Sequence, residues 1–535
     1  MALKCLFKLF TVCLVAGNVA FCDSAKVLFV GLFGGGSHMM ALIPIGRSLV
    51  DRGHEVTFLV NHLDTEKYAQ SKYTDYFKFE HHTYKTLDQE FTHIDNQIVN
   101  LAFSGNIVGQ LRFLTSLFAD LNTKVCESIF RDKDLMTRLE GIDAVVVDVY
   151  WPCGIYMKSF IAKKTKTTIH GIVVSPTASN SYIQQLAGSP VNPSYQPMSI
   201  TGLSSNMMFL QRVINTISYL VGNIFNYIMI EKPYHGIVDE YRLDPALKKS
   251  IQDDVDLYLI NTEFCVEFPF SLMPNVVPVG GLTTEAAKPL DDELESFMGN
   301  SGEPGVIVFS FGSTFTIITK SKPELTQVFM DAFGRLPHKV LFHLQTDLPD
   351  DVPENIKVLT WLPLQDVLGH PKTRLLVYHG GNNGFLEAVY HGVPLVVMPL
   401  IGDQIDVAAR VKTMGLGTTL DKMQLSADYI YQTLSEALQN PEYGKNVKRA
   451  SAIFKDRPMT APDRAAFWIE HVIKHGGSYM RSPAHDLSFI QYYLLDVILV
   501  ITFVFLTIMY LVYKLLRLCL KTCLHITVKG KFKND

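Results

Sequence analysis

The chain has 535 residues, more than one hydrophobic core usually organises, and this predicts at least two globular units. A formal net charge of -4 with 19% charged residues supplies no basic field, which argues against nucleic acid as a partner. The 48% hydrophobic content is high for a globular chain, and two terminal segments account for part of it.

The first segment is MALKCLFKLFTVCLVAGNVAFCDSAK, in which Lys4 and Lys8 precede an apolar run and small residues follow near Ala20 and Cys22. This is the layout of a cleaved secretory signal over residues 1–22. KVLFVGLFGGGSHMMALIPIGRSLVDRGHEVTFLV then reads as strand, glycine turn, helix with apolar positions near Met40, Ile43, Ile45 and Leu49, a stop at Gly53, and a second strand. Such a βαβ unit implies a parallel sheet. His38 falls in its first turn, as either a general base or a structural turn residue. A further buried-type strand in IDAVVVDVYWPCG ends at Asp148, where a carboxylate can hold and orient an imidazole.

Residues 179–230 carry no motif, and MMFLQRVINTISYLVGNIFNYIMI is apolar enough for a core helix pair near a cleft mouth or for a surface facing a lipid monolayer. DVD at Asp254–Asp256 could be taken for a metal-binding DxD, but acidic pairs are mostly solvated surface. From Met273 to Gly305 the chain turns rich in Pro, Gly and acid, which marks a boundary between an N-terminal domain, 23–280, and a C-terminal one, 281–445.

A second strand series follows in GVIVFSFGST, HKVLFHL, NIKVLTWL, RLLVYHGG and PLVVMPL. The expected class is α/β, with two doubly wound domains facing a cleft and ligands at the carboxyl ends of strands. The turn after RLLVY holds His379, Gly380, Gly381, Asn383 and Gly384, so a helix N-terminus and close backbone can meet a phosphate. Glu387 lies one turn further on, suited to a ribose. Trp361, one of three tryptophans, can stack on a base, and Asp403 with Gln404 can read sugar hydroxyls. Together these describe a nucleotide-sugar site.

DRAAFWIEHVI, inside 446–490, is expected to cross back onto the N-terminal domain. The charge-free run Val497–Tyr513, within 491–513, is long enough to span a bilayer, and the lysines and arginines that follow place the tail, 514–535, in the cytosol. Outside the terminal segments only Cys126, Cys153 and Cys265 remain, which allows one disulfide at most.

From Trp361 to Gln404, and through SFGST, LGHPKTR, DRAAFWIEHVIKHGG and the tail KGKFKND, the sequence resembles family-1 UDP-glycosyltransferases, animal UDP-glucuronosyltransferases in particular. The resemblance implies a GT-B fold, a UDP-sugar held by the C-terminal half, and a small lipophilic acceptor held by the N-terminal half. It makes His38 the catalytic base and Asp148 its partner. Trp361 would stack on uracil and Glu387 would bind ribose. Ser313, His379, Asn383 and Gly384 would hold the diphosphate, and Asp403 and Gln404 the sugar.

The family carries Gln three residues after the tryptophan, whereas this chain has Leu364 there and Gln365 next, so contact with the base falls to backbone or to Gln365. Phe342-His343 likewise replaces a Trp-Arg common in the family, which removes a positive charge near the donor. The implied protein is an inverting transferase needing no cofactor or metal beyond its UDP-sugar substrate. It would be a single-pass type I protein of the endoplasmic reticulum membrane with lumenal catalytic domains, returned by COPI-type machinery through the dilysine Lys531 and Lys533, with room for a homo- or hetero-oligomer and no role for nucleic acid. A catalytically silent partner of an active homologue is the rival reading. A nicotinamide oxidoreductase built on GLFGGGSH leaves the Trp361–Gln404 box unexplained.

Overall fold

A computed structural model describes residues 24–31, 36–64, 73–84, 101–104, 109, 113, 119–177, 181–312, 322–344 and 351–531, with side chains to 522. Ser313, the segment 1–22 and the Lys531 and Lys533 side chains lie outside the described residues. The chain divides into two compact units, Met1–Arg481 and Ser482–Asp535.

The first unit holds two parallel sheets. One runs β3-β2-β1-β4-β5-β6-β7, built from β1 (Lys26–Val30), β2 (Glu55–Asn61), β3 (Lys78–His82), β4 (Ala144–Asp148), β5 (His170–Ser175), β6 (Leu257–Ile260) and β7 (Val276–Pro278). The other runs β10-β9-β8-β11-β12-β13, from β8 (Val306–Ser310), β9 (Lys339–His343), β10 (Ile356–Leu359), β11 (Thr373–Tyr378), β12 (Leu395–Val397) and β13 (Gly417–Thr419). Both central strand pairs are apolar on both faces because helices cover both sides of a parallel sheet. Leu28, Val30, Val145 and Val147 enter one core, and Val27, Phe29, Ala144 and Val146 the opposite one.

In each sheet the strand order reverses once, at β1/β4 and at β8/β11. At such a switch point the loops after the two strands diverge to opposite faces and open a crevice at the carboxyl ends. His38 follows β1, Asp148 ends β4, Gly312 follows β8 and His379 follows β11. All four chain positions therefore stand where a doubly wound sheet presents ligands.

Helix α1 (Gly36–Asp51) buries Met39, Ala41, Leu42, Ile45 and Leu49. The predicted stripe was rotated slightly, since Met40 faces outward. Helices α2 (Asn122–Arg131) and α3 (Cys153–Thr165) are joined by a disulfide between Cys126 and Cys153, which leaves Cys265 as the free thiol of the three. The stretch 207–230 is not a buried helix pair. It forms one helix, α4 (Phe209–Asn226), continuing into a wider turn at Tyr227–Glu231, with one face inward and one in solvent.

The C-terminal half contributes α5 (Leu364–Gly369), α6 (Asn382–His391) and α7 (Gln404–Thr413). Helix α8 (Ala461–His475) returns to the first sheet. Its Ala465, Ala466, Ile469 and Val472 join the core of Ala41 and Ile45, while Glu470 pairs with Arg52 and His54, each at 2.9 Å. The second unit contains α9 (Leu495–Lys531), whose Leu495–Thr522 stretch is long and apolar enough to cross a membrane and has no buried portion.

Candidate functional site

Asp148 is fully buried, and its two oxygens have separate tasks. Oδ1 accepts the Tyr150 backbone N–H at 2.9 Å, which fixes the carboxylate plane, and Oδ2 lies 2.6 Å from His38 Nδ1. The imidazole therefore presents Nε2 outward, beside the Tyr150 ring at 6.0 Å. Burial alone would push His38 down, but the charge of Asp148, its hydrogen bond and the charge of Asp403 outweigh it and hold the imidazole above its ordinary value of 6.5. A base strengthened in this way still opens to the cavity, and the pair is the arrangement that general-base chemistry requires.

Across the cleft, Gly380 adopts φ +97, and a Cβ there would meet Val397 at 2.9 Å, so glycine is needed for the tight exit from β11. That exit aims the N-terminus of α6 at the cleft. Burial holds His379 down at about 4, so it is neutral at pH 7, and its Nδ1 has no hydrogen-bond partner among the described residues. It can donate one hydrogen bond but brings no charge.

Asn382 and Asn383 tie α6 to the N-terminal half. Asn382 Nδ2 donates to the Pro176 and Asn261 carbonyls at 3.1 and 2.9 Å. Asn383 Nδ2 donates to the Ser37 carbonyl at 3.0 Å, and its Oδ1 accepts from Asn261 Nδ2 at 3.0 Å. Asn383 thus spans the cleft directly beside His38, with its second N–H remaining for a ligand.

Asp403 precedes α7 without capping it. Burial pushes its carboxyl above the usual range, against the opposing charges of Arg410 and His38. Gln404 Oε1 accepts the Leu400 and Ile401 backbone N–H groups at 2.8 and 3.2 Å, which turns the amide nitrogen into its ligand-facing group. His38, His379, Asn383, Gly384, Asp403 and Gln404 line one cavity of about 580 Å³.

Trp361, Gln365 and Glu387 lie apart from that cavity. Trp361 is 74% exposed, an aromatic face with room for a planar ligand. Glu387 Oε1 accepts the Thr283 hydroxyl at 2.6 Å, and burial pushes its carboxyl up. Gln365 donates to the Thr283 carbonyl and accepts from His391 Nε2, each at 2.9 Å, and also bonds Glu387, so its amide braces that carboxylate. His343 is buried against the Ser310 hydroxyl at 3.1 Å, and burial lowers its pKa, so the position brings no cation to the donor side. Asp254 bonds Lys158 Nζ at 2.7 Å and Asp256 bonds His170 at 3.0 Å, which engages the DVD carboxylates within the protein.

Sequence reading missed Arg410, Glu267, Asp406 and Asn261. Arg410 on α7 pairs with Glu267 of the N-terminal half, both buried, and its Nε and Nη2 lack partners among the described residues. Asp406 accepts the Ile200 and Gly202 backbone N–H groups at 2.6 and 3.0 Å. The available signal was helical spacing, since Asp406 and Arg410 follow Asp403 at three and seven positions, on the same face of α7.

The family model described as UDP-glucoronosyl and UDP-glucosyl transferase matches residues 25–530. The rat UDP-glucuronosyltransferase 1A7 is 33% identical over 94% of this chain and 93% of its own length. The human UDP-glucuronosyltransferase 1A9 is 31% identical over 98% and 96%. Among solved structures, the calicheamicin glycosyltransferase CalG4 superposes with a TM-score of 0.56 at 18% identity, covering 85% of this chain and 99% of its own. The glycosyltransferase SnogD from Streptomyces nogalater gives 0.54 at 15%, covering 84% and 99%. The fold is therefore GT-B, and the chain belongs to the UDP-glucuronosyl and UDP-glucosyl transferase family, enzymes of glycosyl transfer.

Proposed function

We propose that this enzyme transfers glucuronate from UDP-glucuronate to a hydroxyl of a small lipophilic acceptor, with inversion. His38 Nε2 takes the hydroxyl proton as the acceptor oxygen bonds to sugar C1 and the bond from C1 to the diphosphate oxygen breaks. UDP leaves with that electron pair, and Asp148 holds the resulting imidazolium. The observation that carries the reading is the 2.6 Å contact of His38 with a fully buried Asp148, facing Asp403 across one cavity.

The donor's uracil would stack on Trp361, with its ribose on Glu387 and Gln365 bracing that contact. The diphosphate would lie at the N-terminus of α6 near His379, Asn383 and Gly384, and the sugar at Asp403 and Gln404; Ser313, outside the described residues, is a further expected diphosphate ligand. Glucuronate is favoured over a neutral hexose by Arg410, a buried cation lining the same cavity that pairs with Glu267 and keeps two nitrogens without partners among the described residues. The names of the rat and human relatives point the same way. Helix N-terminus and side-chain donors would stabilise the leaving group without a metal. Activity should therefore survive EDTA, and loss restored only by a divalent cation would contradict this.

The same reading makes the protein a type I resident of the endoplasmic reticulum membrane with lumenal catalysis, retrieved through Lys531 and Lys533. The test is a panel of UDP-glucuronate, UDP-glucose, UDP-N-acetylglucosamine and UDP-galactose against phenol and steroid acceptors, read by mass. Glucuronide products are expected. UDP binding with no transfer from any donor would make the chain a silent partner instead.

A further inference from the structure

Ahead of α4 the chain forms an irregular strap that lines the cavity through Gln196, Pro197, Met198, Ser199, Ile200 and Leu203. It belongs to neither helix nor sheet, so its backbone N–H groups must find partners elsewhere. Asn215 of α4, buried, secures the beginning: it accepts the Met198 N–H and donates to the Gln196 carbonyl, both at 2.7 Å. Within the strap, the Thr201 hydroxyl donates to the Met198 carbonyl at 2.6 Å.

The middle of the strap is held from the other half of the protein. Asp406 Oδ2 and Oδ1 accept the Ile200 and Gly202 N–H groups at 2.6 and 3.0 Å. Asp406 stands in the first turn of α7, directly after Asp403 and Gln404 along the chain. Burial pushes its carboxyl up to about 6, against the two N–H groups and the charge of Arg410, so at pH 7 it is mainly the anion and both bonds are charge-assisted. Ile200 sits at φ +67, where a β-branched residue is rarely found, and its side chain is exposed, so packing does not hold it there. Gly202 sits at φ +62, and a Cβ on it would meet Ile405 Cγ2 at 2.8 Å, so the strap backbone lies directly against α7.

We propose that Asp406 is a positioning residue for the acceptor: from the helix whose start would hold the donor sugar, it fixes the strap 196–203 as a wall of the cavity and so sets which acceptors fit. The inference rests on the reading that the acceptor binds in this cavity beside His38. Asp406 acts through the backbone of Ile200 and Gly202, without contact to the reacting atoms. With that grip lost, Ile200 relaxes to an ordinary backbone conformation and carries its side chain, and the wall with it, to a new place. Phenol is small against a cavity of about 580 Å³ and binds at His38 without reaching the strap. Estradiol carries the same phenolic hydroxyl on a fused-ring body, so it differs from phenol mainly in meeting the far walls.

The full-length chain, saturated with UDP, is titrated with phenol and with estradiol by calorimetry, as wild type, Asp406→Asn and Gly202→Ala. Asn can accept only one of the two N–H groups, and Ala crowds the strap off α7, so the variants loosen the same contact from its two sides. Estradiol affinity should fall about tenfold in each, with phenol and UDP affinities within about twofold of wild type. Amide hydrogen exchange at Ile200 and Gly202 should rise about tenfold in Asp406→Asn. Unchanged estradiol affinity in both variants would overturn the proposal, as would equal losses for phenol, estradiol and UDP, the mark of a general structural role. A wild-type chain that binds UDP but neither acceptor would contradict the acceptor reading instead, and unchanged exchange at Ile200 and Gly202 would then overturn the strap on its own.

Discussion

Replacing Asp148 by Asn isolates the partnership on which the chemistry depends. Asn preserves the volume, and its carbonyl oxygen can still accept the Tyr150 N–H, so the β4 turn keeps its geometry. The opposite atom, now an NH₂ group, cannot accept a proton from His38 Nδ1. Two losses follow. The charge-assisted hydrogen bond that stabilises the imidazolium is worth about 1.5–3 kcal/mol, or roughly one to two pK units. The imidazole is also driven toward the tautomer carrying its proton on Nε2, the atom that must accept one. Together these predict a fall in kcat of about 10²–10⁴ with donor KM nearly unchanged.

The pH dependence has a definite sign. In the wild type His38 titrates above 6.5, so the rate should fall as pH drops through that raised value, because a protonated base accepts nothing. In the variant burial acts with only Asp403 to oppose it, so the acid limb of the residual activity should move to lower pH. The pair's contribution to stability runs the other way: fully present below the unfolded value of 6.5, it is lost as pH rises through the folded one. Steady-state rates from pH 5 to 9, with unfolding temperatures alongside, decide the matter. A kcat within threefold of wild type and an unmoved acid limb would refute the argument.

Trp361→Ala should weaken UDP binding by about 1–3 kcal/mol in a titration while shifting unfolding by less than about 0.5 kcal/mol, since the ring is exposed and its stacking partner is the ligand. Arg410→Met strands the buried Glu267 carboxylate, which burial already pushes up, and should cost about 3–5 kcal/mol by denaturant unfolding. The double variant with Glu267→Gln should recover part of that loss, and full additivity of the two single effects would contradict the pairing.

Much of the framework was legible in the chain. Strands buried on both faces appear as unbroken apolar runs, and the residues that end them, His379 after β11 and Asp148 on β4, appear where those runs stop. The disulfide partner was not legible, because three cysteines permit three pairings. The Arg410–Glu267 pair joins positions 143 apart in sequence with no periodic signal to connect them. The contacts of Asn383 likewise come from two distant segments, at Ser37 and Asn261. Helix α4 misled for a different reason. Its apolar side chains suggest a core helix, yet the face carrying Phe209, Ile217, Leu220 and Ile224 points outward while Asn215 is the buried residue, a placement that composition alone does not reveal.

The central claim is that the proton is taken by His38 in the N-terminal half while the donor is held by the C-terminal half. His38→Ala, measured for both UDP affinity and glucuronide formation, separates the two. The account predicts UDP binding within about threefold of wild type and turnover reduced at least about 10²-fold. Equal turnover by both proteins would contradict it.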